Sequence, residues 1–180
     1  MTRLVLALGL ALLSAALLVQ RVATPTATAA APFVPGGVCL SRVSPDQLDQ
    51  LFVTEPGGVV GADYQRATSL PDGSVLWTFQ DAEVRLPGGG TTLVHNIGMI
   101  QRGSCFTVLM SGSAADPQPW LFGAYTDRFS HWFWPLGAEM GADGRVYVFV
   151  AEMVELGPTY PSRVEPIATA VAGVDVDTLA

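Results

Sequence analysis

The chain has 180 residues with 9 basic and 16 acidic side chains, which gives a formal net charge of −7 at pH 7. An acidic chain whose basic residues are scattered offers no basic face, so nucleic acid is excluded as a partner. Two cysteines and two histidines are too few for a zinc site at their spacings. We therefore expect neither a metal ion nor a cofactor.

The first 29 residues are predicted to be a secretory signal peptide. An unbroken apolar run, Leu4–Val19, follows Arg3, and a stretch of small residues leads to Ala29. A charged start, an apolar middle and a small-residue cleavage site are typical of such a leader, which places the protein outside the cell or in the cell envelope. The alternative is an uncleaved anchor, because the run approaches the ~17–25 residues of a spanning helix. Contact with a membrane is expected only through that segment.

Residues 30–60 are predicted to be a lead-in with one short helix. Ser44 suits the N-cap of this helix and Pro45 suits its first position. Three apolar residues recur at the spacing of one helical face and give the helix an apolar stripe: Leu48, Leu51 and Phe52.

The two cysteines, Cys39 and Cys105, are predicted to form a disulfide. An even number of cysteines in an exported chain favours a bridge, because the compartment is oxidising. Closing so long a loop is worth roughly 4 kcal/mol of stability.

Residues 61–180 are predicted to form an all-β domain. Short β-type runs alternate there with turns rich in Gly, Pro and Asp, which is typical of a sandwich, a barrel or a propeller. Several runs are apolar at nearly every position, so these strands are expected to be covered on both faces. The runs are Tyr64–Leu70, Val75–Gln80, Thr92–Gln101, Cys105–Met110, Trp120–Tyr125, His131–Trp134 and Val146–Met153.

The first two runs are predicted to form a hairpin around the turn Pro71–Ser74, because Pro fixes φ and Gly accepts a positive φ. Asp63 precedes the first run and Asp81 follows the second, so both should lie at one edge of the sheet, opposite the turn. We expect His95 and Asn96, in the next ribbon, at the same edge. A polar cluster there could bind a substrate hydroxyl, although a polar side chain beside a strand also commonly accepts backbone hydrogen bonds.

A second candidate group is aromatic. Trp132 and Trp134 flank Phe133, and strand alternation places both tryptophans on one face. Tryptophan rings stack well on sugar rings, so the pair is a candidate platform for carbohydrate. The alternative, which the size of these side chains favours, is that they fill the space between packed sheets.

Five sequence pieces, in their order, resemble a known family. The pieces are GADYQ from Gly61, LPDGSVLWTFQDA from Leu70, LVHN from Leu93, WFWP from Trp132 and DGRVYVF from Asp143. Together they look like the start of a secreted bacterial domain of unknown function, family 4185. That family resembles five-bladed β-propeller glycoside hydrolases of the arabinanase and xylosidase kind. The resemblance covers roughly residues 38–180.

The resemblance implies a propeller with carboxylates near its axis. By position Asp63 would be the general base of an inverting hydrolase, and Asp81 and His95 would line the axial pocket. Inverting hydrolysis also needs a carboxylic acid as proton donor. Two later glutamates could be read as that acid, although no motif supports either: Glu139 and Glu152.

Length limits the number of blades. At ~40–50 residues a blade, the chain without its leader supplies about three, fewer than a closed propeller needs. Its end, Val174–Ala180, shows neither a polar tail nor a closing strand. We therefore expect a partial propeller, from a fragment or a truncated family member.

Two functions are compatible with these residues. The first is a secreted glycoside-hydrolase-like propeller domain that binds or hydrolyses extracellular carbohydrate. The second is a non-catalytic secreted or cell-surface interaction module that has lost the chemistry. A third interpretation concerns the fold alone: an ordinary β-sandwich, which strands alternating between two facing sheets would establish.

Overall fold

The computed structural model describes residues 26–29, 36–127, 129–157 and 164–178, and nearly all of its strands pair in antiparallel fashion. The predicted signal peptide lies outside these ranges except for its last four residues. Within the described ranges, no helix has the length and apolar character needed to cross a membrane.

The described residues form thirteen strands, one α-helix and two 3-10 helices. The strands are β1 (Thr26–Ala29), β2 (Gly37–Cys39), β3 (Val59–Ala62), β4 (Arg66–Ser69), β5 (Val75–Arg85), β6 (Thr91–Arg102), β7 (Cys105–Leu109), β8 (Ser111–Ser113), β9 (Asp116–Gln118), β10 (Leu121–Phe122), β11 (His131–Met140), β12 (Arg145–Glu155) and β13 (Val164–Asp175). The helices are α1 (Pro45–Asp49), η1 (Leu51–Thr54) and η2 (Pro56–Gly58).

The strands assemble into two large sheets and one small one. Sheet I has the order β2-β7-β6-β5-β3, with β4 also paired to β5, and sheet II has the order β10-β1-β13-β12-β11. Strands β8 and β9 pair separately. Apart from β1, the chain completes sheet I before it begins sheet II, so successive strands do not alternate between facing sheets. The all-β class is confirmed, and this order is consistent with a partial propeller-like arrangement.

Apolar side chains cover both faces of sheet I, as its apolar runs predict. Between the two sheets, Leu76 and Ile100 pack in one cluster with Trp120 and Phe133. On the opposite face a second cluster includes Leu51 of η1. Each large apolar side chain removed from water contributes about 1.5–3 kcal/mol, so these two clusters supply most of the stability.

Gly98 makes room for the largest side chain of the inter-sheet core. A Cβ at this position would lie 2.9 Å from Cε3 of Trp120 and 3.1 Å from Cδ1 of Leu109. Trp120 is fully buried and cannot move aside without disturbing the cluster. The absence of a side chain at Gly98 is therefore a packing requirement of the sheet interface.

The predicted helix forms in two pieces, since α1 ends at Asp49 and η1 continues as a 3-10 turn. Its apolar stripe is confirmed: Leu51 is buried, and Leu48 and Phe52 pack against the cluster on sheet I. Ser44 is the N-cap residue, but the predicted side-chain capping bond is not formed. Its hydroxyl oxygen is buried without a hydrogen-bond partner.

The predicted disulfide is confirmed. Cys39 and Cys105 are directly opposed residues of β2 and β7, and their Cα atoms are 3.9 Å apart. The bridge therefore fixes the first strand of sheet I to its neighbour.

Two strands differ from the prediction in ways that affect the site. Strand β5 continues to Arg85, so Asp81 lies within the strand and not after it. Strand β13 lies beyond the last predicted run, Val146–Met153, in a region where the sequence predicts no strand. Its small residues and Pro166 weaken the sequence signal, because Pro is normally confined to edges and irregular positions. In the sheet, Pro166 sits at a register shift opposite Met153.

Candidate functional site

Asp63, Asp81 and His95 come together in sheet I, as the predicted hairpin requires. The N–H of Asp63 donates to the carbonyl of Asp81 over 3.0 Å, and the N–H of Asp81 donates to Oδ1 of Asp63 over 3.0 Å. Asp81 and His95 are directly paired residues of β5 and β6. Asp63 is exposed, and one of its carboxylate oxygens positions Asp81. Its role as a general base stays a prediction.

Asp81 is the centre of the cluster. Its Oδ1 lies 2.8 Å from Nδ1 of His95 and accepts a hydrogen bond of 2.8 Å from Nε1 of Trp134. Because an ionised carboxylate only accepts, this contact assigns a proton to Nδ1 of His95. The side chain of Asp81 is 25% exposed, and that of His95 is 12% exposed. Within the described residues, Oδ2 of Asp81 and Nε2 of His95 have no hydrogen-bond partner, so both can meet a ligand.

The two tryptophans of β11 have different environments. They lie on one face of the strand with ring centroids 6.1 Å apart, while Phe133 points into the inter-sheet core, as alternation predicts. Trp132 is only 3% exposed, and its ring stacks on His95 at 4.1 Å and 11°. Burial leaves Trp132 no face for a sugar, and its role is to orient the imidazole. Trp134 is half-buried and keeps an accessible surface.

Asn96 joins the two sheets directly behind His95. Its side-chain amide donates to the carbonyls of Leu121, at 3.0 Å, and Phe133, at 2.9 Å. Its Oδ1 accepts the N–H of Leu121 over 2.7 Å. The residue is fully buried with φ of 95°, a left-handed conformation that Asn tolerates better than most residues. Both amide protons are thus used within the protein, and the predicted contact of Asn96 with substrate has no free donor.

A second histidine–carboxylate pair, which the sequence did not reveal, lies where β11 begins. Nε2 of His131 lies 2.7 Å from Oε1 of Glu152, and the hydroxyl of Tyr125 donates to Oε2 over 3.4 Å. The Glu152 side chain is only 8% exposed, against 22% for His131. Burial and then the charge of Glu152 raise the pKa of Tyr125, so the phenol keeps its proton and remains a donor.

The loop before β11 is held by Asp127. Its carboxylate accepts the N–H of Phe129 over 2.8 Å and both the N–H and the hydroxyl of Ser130. These bonds, led by the Ser130 hydroxyl, lower the pKa of Asp127 to about 2. The N–H of Asp127 also donates to the carbonyl of His131 over 2.7 Å. The loop therefore fixes the start of β11, which carries both tryptophans and His131 of the second pair.

The two glutamates considered as proton donors lie in contrasting places. Glu139 is exposed on β11, opposite Tyr147 of β12. Glu152 is buried and engaged with His131. In the described part of the chain, no group of three or more His, Cys, Asp or Glu side chains could hold a metal ion.

The fold defines a β-rich protein with one short α-helix among the described residues. It is similar to the 2.80 Å crystal structure of a protein from Bacteroides ovatus ATCC 8483 described as "a putative hydrolase", with a TM-score of 0.54 and 15% sequence identity. The similarity covers 67% of this chain and 36% of that chain. The protein thus spans about a third of the length of its structural neighbour, and at this identity the likeness concerns the fold alone.

Residues 46–180 match DUF5005, a domain of unknown function, and the chain belongs to this family. The sequence resemblance had indicated a different family, number 4185, which the match does not confirm, and the kinship with propeller glycoside hydrolases likewise stays a prediction. No curated protein matches the chain.

Proposed function

We propose that this DUF5005 domain is an exported, hydrolase-like module that binds carbohydrate at the cluster of Asp81, His95 and Trp134. One observation supports this most: Oδ1 of Asp81 accepts hydrogen bonds from the ring N–H groups of both His95 and Trp134. Oδ2 of Asp81 and Nε2 of His95 then remain for a ligand. Sugar hydroxyls both donate and accept hydrogen bonds and so match a carboxylate beside an imidazole. The half-buried ring of Trp134 offers an apolar surface for the C–H face of a sugar.

Hydrolysis of the bound carbohydrate is a second candidate function. Asp81 orients His95 through Nδ1, so Nε2 can accept a proton from an attacking water, as in other carboxylate-oriented histidine bases. The similarity of the fold to a protein described as "a putative hydrolase" favours this candidate. The mechanism implied by the family resemblance differs, because there Asp63 is the base and a second carboxyl is the acid.

Binding is tested with the secreted protein on a glycan array, followed by calorimetry with the best oligosaccharide. We expect Asp81→Asn and His95→Ala to weaken binding at least about tenfold, the effect of one lost charge-assisted hydrogen bond. Trp77→Phe is the matched control, because the indole of Trp77 donates to Gln101 away from the cluster. Unchanged affinity in folded Asp81 and His95 variants, or no glycan bound by the native protein, would contradict the proposal.

Turnover of aryl glycosides separates the two candidate functions. Loss of turnover in Asp81→Asn with little change in Asp63→Asn is expected if the Asp81–His95 pair is the base. The reverse pattern supports the mechanism implied by the resemblance. Binding without any turnover assigns the protein to the non-catalytic modules.

Export is part of the proposal and has its own test. The disulfide is compatible with an oxidising compartment. N-terminal sequencing of the secreted protein should give a sequence that begins at Ala30. Cleavage at that point would also remove strand β1, which lies between β13 and β10 in sheet II. Retention inside the cell, or a different mature end, would contradict cleavage after Ala29.

A further inference from the structure

Arg66 has no salt bridge to a carboxylate of the described residues, a property that it shares with Arg42 and Arg145. Arg85 pairs with Glu55 at 2.6 Å. Arg102 has a carboxylate oxygen of Asp72 at 4.0 Å. Arg66 is exposed, and no carboxylate of the described residues lies within salt-bridge distance of it. Its charge is therefore available to a ligand.

The Arg66 guanidinium is also held in place. It lies 4.0 Å from the centroid of the Tyr64 ring, and its Nη1 donates to the carbonyl of Gln65 over 3.0 Å. A cation over an aromatic face is stabilised by the ring quadrupole and loses less freedom when it binds an anion. The remaining N–H groups of the guanidinium have no protein partner among the described residues.

The turn that presents this pair is strained. Tyr64 has φ of 52°, a left-handed conformation that is uncommon for a bulky residue. The backbone bonds between Asp63 and Asp81 fix the turn from one side. Strain of this kind persists where the surroundings enforce it and is concentrated at functional sites.

Arg66 lies on the side of sheet I that faces the candidate site. The hydroxyl of Thr68 donates to a backbone carbonyl of β11 over 3.3 Å. Strand alternation places Arg66 on the same face of β4 as Thr68. Strand β11 carries Trp134, and the turn before β4 is bonded to Asp81. Arg66 therefore lies on the face of sheet I that β11 packs against, and it follows the turn that is bonded to Asp81.

We propose that Arg66, held on the Tyr64 ring, is a subsite for the carboxylate of an acidic sugar. This inference rests on the proposed function and narrows its ligand to uronate-containing glycans. A guanidinium binds a carboxylate through two parallel hydrogen bonds, a geometry that a neutral sugar does not satisfy. The net charge of −7 repels anions at long range, so binding of an acidic glycan depends on this local contact.

Calorimetry with matched ligands tests the subsite. The probes are oligogalacturonate and oligomannuronate, each compared with its methyl ester, which removes the charge and keeps the sugar. We expect at least one acid to bind about tenfold more tightly than its ester, since a hydrogen bond to a charged group is worth about that factor. Arg66→Gln should remove the difference, Arg66→Lys should keep part of it, and the control Arg102→Gln should leave it intact.

The outcomes distinguish this inference from the function on which it rests. Equal affinity for acid and ester, or tight binding of neutral glycans alone, overturns the acidic subsite and leaves carbohydrate binding in place. An acid preference that survives Arg66→Gln also overturns the subsite. If no glycan of any class binds the folded protein, both proposals fail.

Discussion

The two histidine–carboxylate pairs have nearly equal contact distances, but their carboxylates differ in accessibility. His95 lies 2.8 Å from Asp81, and His131 lies 2.7 Å from Glu152. Asp81 is a quarter exposed and keeps a free oxygen, whereas Glu152 is nearly buried and Tyr125 occupies its second oxygen. A short contact alone therefore does not identify a site. The free second oxygen of Asp81 is the difference between the two carboxylates, and the proposal that the first pair receives the ligand rests on it.

The largest effect is expected at Asn96, the residue that joins sheet I to sheet II. Asn96→Ala removes three buried hydrogen bonds and leaves an alanine with a positive φ, so the free energy of unfolding should fall by about 4 kcal/mol. Asn96→Gly should cost about 1 kcal/mol less, because glycine adopts this φ freely. Urea unfolding measures both variants. A loss below about 1 kcal/mol in Asn96→Ala would show that the sheets do not depend on this junction.

The second prediction compares the two carboxylates directly. Glu152→Ala removes a carboxylate that is only 8% exposed and whose two oxygens contact His131 and Tyr125, so it should lower the free energy of unfolding by about 3 kcal/mol. Asp81→Ala should cost only about 1 kcal/mol, because the Asp81 carboxylate is a quarter exposed and solvent weakens its contacts. Both values come from urea unfolding under one set of conditions. A larger loss in Asp81→Ala than in Glu152→Ala would reverse the assignment of the two pairs.

The third prediction concerns ligand affinity. Trp134→Phe keeps the ring surface but loses the bond to Asp81, so affinity for the bound oligosaccharide should fall about tenfold. Tyr125→Phe, the matched change at the second pair, should leave affinity unchanged. Calorimetry with the same oligosaccharide measures both variants. Equal losses in the two variants would place the ligand away from the Asp81 cluster.

The smallest effect concerns pH and the loop that supports the second pair. The pKa of Asp127 is lowered to about 2 in the folded protein, so its contribution to stability is complete above about pH 4. That contribution is lost as the pH falls through the folded-state pKa. The amide signal of Ser130 in NMR spectra should titrate with a midpoint near 2 and should not titrate in Asp127→Asn. A midpoint at the usual pKa of an aspartate would show that the loop bonds do not form.

The sequence predicted contacts that depend on local geometry. The Pro71–Ser74 turn fixes a hairpin, so the meeting of Asp63 with Asp81 follows from its register. The next strand then brings His95 opposite Asp81. The cysteine pair and the apolar stripe of the helix were predicted for similar reasons, since composition and short-range spacing determine them.

Contacts between the sheets could not be predicted in this way. The bond from Trp134 to Asp81 joins residues 53 positions apart, and it requires the packing of β11 across sheet I. The His131–Glu152 pair needs the register of the β11–β12 hairpin, and both strands extend beyond the runs His131–Trp134 and Val146–Met153 that the sequence predicts. Asn96 resembles a binding residue in the sequence, and only its backbone conformation and burial reveal that it joins the sheets.

The most direct test of the Asp81 cluster as the ligand site uses the tryptophan indole N–H signals in ¹H–¹⁵N NMR spectra of the native protein. The oligosaccharide selected on the glycan array is titrated into the protein. We predict that the Trp134 signal shifts with saturation, because its N–H donates to the carboxylate that the ligand contacts. The Trp77 signal, whose N–H donates to Gln101, should stay in place. Saturable shifts at Trp77 with a constant Trp134 signal would contradict the assignment of the site.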